Sequence, residues 1–114
     1  MIHEREQDIQ RSILDYLALK RFVAVKYHST VGVAREGQYV PIKTGTKGTA
    51  DILACAPDGR FWAIEVKRKG GRATPEQLDY LARVRANGGV GIIAFSIDDV
   101  VAALESGGGG KATA

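Results

Sequence analysis

Asp51 stands fourteen residues before Glu65, and Glu65 is followed by Val66 and Lys67. Two carboxylates can jointly hold a hard divalent cation through oxygen, and such an ion keeps waters and leaves positions for a phosphate. In Phe61-Trp62-Ala63-Ile64-Glu65-Val66-Lys67 the side chains of a strand alternate, so Trp62, Ile64 and Val66 enter the core while Glu65 and Lys67 emerge together on the other side. Asp51 opens the preceding apolar run, and a hairpin would set it beside Glu65. Each residue also has an ordinary reading, a solvated charged face for Glu65 and Lys67 and a strand-leading aspartate for Asp51. The combination points to chemistry on a phosphate ester.

These residues need elements to hold them. Residues 4–20 carry Ile9, Ile13, Leu14, Tyr16 and Leu17 at helical spacing, which predicts an opening helix. Residues 22–28, rich in Val and aromatics, predict a strand. Gly32, Gly37, Pro41, Gly45 and Gly48 punctuate an irregular stretch, with a short strand at residues 39–42. Residues 51–56 and 61–67 form a β-hairpin about the turn Pro57-Asp58-Gly59. Thr74-Pro75-Glu76-Gln77 supplies a cap, a first-turn proline and a capping-box partner. The helix so started runs over residues 75–87 on Leu78, Leu81 and Val84, and Gly88-Gly89 closes it. Residues 90–95 predict a strand buried on both faces, and residues 97–105 a last helix. The order is α-β-β-β-α-β-α. Residues 1–105 form one domain, and residues 106–114, with four successive glycines, a flexible tail.

A chain of 114 residues has room for one core, and 45% hydrophobic with 25% charged residues is a globular balance. No apolar run reaches the roughly 20 residues of a membrane span, and the charged start lacks a secretory apolar stretch, so the expectation is an intracellular protein. Cys55 has no disulfide partner, and its apolar surroundings predict a small buried hydrophobe. His28 reads as structural. The net charge of +3 and pI near 9.2 are modest, but their placement is informative. Lys43 and Lys47 precede Asp51, while Arg68, Lys69 and Arg72 follow Glu65, an arrangement suited to a phosphodiester backbone. A phosphate-binding loop of the NTPase type, a zinc-ligand spacing and a serine-histidine-acid set are all missing.

Asp51 with Glu65-Val66-Lys67 resembles the PD-(D/E)xK nuclease superfamily, in which an aspartate and a Glu-x-Lys lie on adjacent strands. Glu6-Gln7-Asp8-Ile9-Gln10, Lys47-Gly48-Thr49-Ala50-Asp51 and Thr74-Pro75-Glu76-Gln77 resemble its VRR-NUC branch, whose small stand-alone members are similar to Holliday junction resolvases. The resemblance runs in order over residues 4–104. Ala50 replaces the proline of the superfamily name, a residue that shapes a turn and supplies no ligand.

The resemblance implies a restriction-endonuclease-like α/β core, a central mixed sheet flanked by helices. It implies a DNA endonuclease selective for branched substrates such as four-way junctions or flaps, leaving a 5′-phosphate and a 3′-hydroxyl. Mg²⁺ or Mn²⁺ would be held by Glu6, Asp51, Glu65 and the Val66 carbonyl, with Lys67 orienting the attacking water. Gln77 would contact the site, the five cations above would bind DNA, and the protein would be a homodimer. Glu6 is preferred to Glu4 because it shares a helical face with Ile9, Gln10 and Ile13. First-turn stabilisation for Glu6 and a capping role for Gln77 stay open as structural alternatives. The competing function is a non-catalytic nucleic-acid-binding accessory module.

Overall fold

Helix α1 (Glu6–Leu19) follows from its apolar stripe, since Ile9, Ile13 and Leu17 are all buried one turn apart and Leu14 and Tyr16 flank them. The computed structural model describes residues 5–28, 30–43 and 46–107. Among them the elements continue as β1 (Val23–Lys26), β2 (Thr30–Arg35), β3 (Gln38–Lys43), β4 (Ile52–Cys55), β5 (Phe61–Val66), α2 (Pro75–Ala86), β6 (Val90–Ala94) and α3 (Ile97–Glu105). No helix among these residues is long and apolar enough to cross a membrane. The glycine-rich segment from residue 108 onward lies outside the described residues.

A four-stranded sheet in the order β1-β4-β5-β6 forms the centre. β1, β4 and β5 are antiparallel neighbours, and β6 lies parallel to β5 with Ile64 opposite Ile92. The sheet is therefore mixed, with α2 as the crossover that a parallel pair requires. One face carries the main core, where Ile52, Ala54, Trp62, Ile64 and Val66 meet α1 and Val100 of α3. Phe22 closes it edge-to-face on Trp62, ring centroids 5.2 Å apart. The other face is covered by α2 over β5 and β6, with Leu81 against Ala50 and Ala63.

Three expectations change. The body follows α-β-β-β-α-β-α, but the stretch read as irregular holds a complete hairpin, β2–β3, paired from Thr30↔Lys43 to Arg35↔Gln38. Its two-residue turn, Glu36-Gly37, has φ values of 52° and 77°, the mirror-image turn that hairpin twist favours. Cys55 is exposed instead of buried. β4 sends Ile52 and Ala54 into the core, so Cys55 falls on the opposite face, and α2 covers only β5 and β6 there. On α2 the periodicity buries Leu81 alone, leaving Leu78 exposed, because a single helical stripe rests on two strands.

Candidate active site

The candidate site lies where β5 ends, β4 begins and two helices start. Asp51 precedes β4 and is braced twice. Its Oδ2 accepts the Val66 N–H at 2.8 Å, and its own carbonyl accepts the Tyr27 N–H at 2.7 Å. The loop carrying it presses on the first turn of α2: a Cβ on Gly48, whose φ is 82°, would run into the Glu76 carbonyl oxygen. Lys47 pairs with Glu76 at 3.8 Å on the same contact. The loop is thus in close contact with the first turn of α2.

Glu65 departs from the alternation argument in one respect. It lies on the face opposite Trp62, as expected, yet α2 covers that face and Glu65 is only 2% exposed. Lys67 Nζ sits 3.3 Å from its Oε2. Its Oε1 is buried with no hydrogen-bond partner. Burial pushes the Glu65 carboxyl up to about 7; the Asp51 charge adds to this and the Lys67 ammonium opposes it. Burial likewise raises Asp51, against the Val66 N–H and Lys67, with the charge of Glu6 adding to the rise.

Glu6, in the first turn of α1, reaches across to accept the Arg68 N–H at 3.2 Å. The structure thus gathers Glu6, Asp51, Glu65 and Lys67 at one place from three separate stretches of chain. The grouping is looser than a finished metal cage. No three or more His, Cys, Asp and Glu among the described residues converge tightly enough to count as one. The donor set nevertheless fits a hard cation: the desolvated Asp51 and Glu65 carboxyls lie within hydrogen-bond reach of each other, and the buried Glu65 Oε1 receives no fixed donor.

The remaining sequence candidates divide. Gln77 closes a capping box, its Oε1 accepting the Thr74 N–H at 2.9 Å and its N–H donating to Thr74 Oγ1 at 3.1 Å. Arg68, Lys69 and Arg72 are exposed on the turn that follows β5, beside the site. Lys47 is exposed on the Asp51 loop, and Lys43 ends β3, its side chain outside the described residues. Val66 lies buried between Glu65 and Lys67. Sequence reasoning passed over two participants, the backbone of Tyr27 and the glycine at 48. Only the second left a signal, in Gly48-Thr49-Ala50-Asp51.

The mixed sheet carries an aspartate before one strand, a Glu-x-Lys at the end of its antiparallel neighbour and a helix glutamate beside them. The fold is similar to that of a VRR-NUC domain. A solved structure described as "VRR_NUC domain" superposes with a TM-score of 0.62 at 23% identity, over 88% of this chain and 94% of that one. No family model matches the sequence, and no curated protein matches it.

Proposed function

We propose that the protein is a metal-dependent DNA endonuclease, selective for branched DNA such as four-way junctions or flaps and acting as a homodimer. The observation that carries this reading is the half-buried Asp51 beside the buried Glu65, with Lys67 upon Glu65 and Glu65 Oε1 receiving no fixed donor, on a fold similar to a VRR-NUC domain. Mg²⁺ or Mn²⁺ held by Asp51 and Glu65, with Glu6 and the Val66 carbonyl, would supply a polarised phosphoryl oxygen and an activated water.

The chain's own groups do the rest. Asp51 and Glu65 form an anionic cradle whose shape is fixed by the Val66 N–H. Lys67, a three-donor cation held against Glu65, orients the attacking water and stabilises charge growing on the phosphoryl oxygens. Lys43, Lys47, Arg68, Lys69 and Arg72 hold the flanking phosphates. Gln77 would act through its amide nitrogen, the half of the side chain that the cap leaves over.

The test is to incubate the protein and its Lys67→Ala variant with labelled four-way junctions, flaps and linear duplexes, in Mg²⁺, Mn²⁺ or EDTA. Metal-dependent cutting that the variant loses is the expected result, with 5′-phosphate ends. Binding without cutting in every condition would instead make the protein a non-catalytic accessory module.

A further inference from the structure

Among the described residues the fold buries two polar side chains, Glu65 at 2% exposed and Gln10 at 9%. The first belongs to the candidate site; the second has no assigned part. Gln10 Oε1 is buried without a partner, and its carboxamide makes no hydrogen bond to any described residue. An amide oxygen left dry and unpaired is costly, and a leucine would fill the position without that cost. The amide is accounted for by its other end. The nitrogen is not closed off in the same way, and Gln10 lines a cavity of about 390 Å³.

The cavity lies between the flank of α1 and the end of β1, with Arg5, Arg11 and Lys26 in its wall. Arg5 is paired with Asp8 at 3.2 Å. Arg11 and Lys26 have no ion-pair partner among the described residues, and Asp15 is the remaining acid in the wall. Both walls border the candidate site. Gln10 follows Glu6 by one turn, about 6 Å along the helix. Lys26 precedes Tyr27, whose N–H is bonded to the Asp51 carbonyl. Arg68, Lys69 and Arg72 follow β5, whereas Lys26 ends β1, on the other side of β4.

We propose that this cavity holds a phosphoryl group of the DNA, across Asp51 from the Arg68 turn, with the Gln10 amide nitrogen, Arg11 and Lys26 as donors. Phosphoryl oxygens only accept, and guanidinium and ammonium groups only donate, as does an amide presented by its nitrogen. The two cations supply charge, and the buried amide, fixed by its packing, supplies direction. A strand bound at both places would be gripped on either side of the bond to be cut. The ligand is taken from the nuclease reading, but the cavity would bind phosphate equally in a protein of this fold that cuts nothing.

The full chain, labelled with ¹⁵N, is titrated in chelator with inorganic phosphate against chloride at equal ionic strength. The Gln10 side-chain amide signals should move along a saturating curve. Arg11 and Lys26 are exposed, so their replacement leaves the fold intact. Arg11→Ala and Lys26→Ala should each weaken that curve about tenfold, and Asp15→Asn should strengthen it. The curve should persist in Lys67→Ala. Signals that stay still, or that move alike in the Arg11→Ala/Lys26→Ala double variant, overturn the proposal; so does a response lost in Lys67→Ala, which would put the phosphate at the carboxylates.

Fluorescence anisotropy with branched duplexes in chelator tests the source of the phosphoryl group. The double variant should lower the log–log salt slope by about 2. A loss seen only on strands with terminal phosphates identifies a strand end, and a loss on strands without them identifies an internal phosphodiester. An unchanged slope on every duplex overturns the assignment to DNA. Cleavage is scored in parallel in Mg²⁺ or Mn²⁺. Binding at the cavity without cutting sinks the nuclease reading alone, and cutting with no response at Gln10 sinks the cavity alone.

Discussion

Glu65 keeps a carboxyl where water cannot reach it, and its raised pKa makes the folded chain sensitive to pH. In the absence of metal the folded state holds the Glu65 proton up to about 7, whereas the unfolded chain releases it near 4.5. Between those values the folded form binds more protons, so stability falls as pH rises. The contribution is complete below 4.5 and gone above about 7, and such a rise is worth on the order of 3 kcal/mol. Asp51, raised by the same cause, acts in the same direction. Urea denaturation in chelator at pH 5 and pH 8 should show the lower midpoint at pH 8, and Glu65→Gln should remove most of the difference. Equal midpoints for the wild type would mean that Glu65 is solvated. A divalent cation displaces the same proton, so its affinity, measured by calorimetry, should increase from pH 5 to pH 8.

At the scale of elements, the site depends on two contacts that hold α2 to the Asp51 loop. Gly48 has both a positive φ and no room for a Cβ, so Gly48→Ala must shift the loop away from α2. A displacement of about 1 Å at Asp51 would lower cleavage roughly 100-fold. The same variant should lose more than about 1 kcal/mol of stability. A Gly48→Ala protein with unchanged activity and midpoint would show that the contact is dispensable. Thr74 starts α2 through a reciprocal capping box, and Thr74→Ala should cost about 1 kcal/mol, read from the denaturation midpoint. That change also releases the Gln77 side chain, so a fall in cleavage larger than the stability loss explains would assign Gln77 a part in the reaction.

For the whole molecule, charge distribution governs how DNA would be met. The turn bearing Arg68, Lys69 and Arg72 leaves β5 at the site, and Lys47 stands exposed on the Asp51 loop, paired with Glu76. Cations placed this way bind phosphates by releasing counterions, so DNA affinity should fall steeply with salt. Lys69→Ala and Arg72→Ala should each weaken binding across all sequences and reduce the log–log salt slope by about 1, as followed by fluorescence anisotropy. A slope that neither change alters would place the DNA on another surface.

The sequence by itself determined the body of this protein. Helical and strand periods reported α1, β4, β5 and α3 because each buries one face in the main core, and Thr74-Pro75-Glu76-Gln77 marked the start of α2 because capping is a local bond. Asp51, Glu65 and Lys67 were legible for a similar reason, since a short hairpin fixes which residues lie side by side. The β2–β3 hairpin was not legible: Gly32 and Pro41, which face each other in the ribbon, are strand-breaking signals in a central sheet and are tolerated here because both strands are edges. Cys55 and Leu78 were misplaced because exposure depends on how much of a sheet one helix can cover. Only the tertiary structure decided that Glu65 is dry, that Glu6 reaches the Arg68 N–H, and that Gln77 is engaged in its cap. Those are contacts between elements distant in the chain or choices among bonding partners, and spacing alone carries no record of them.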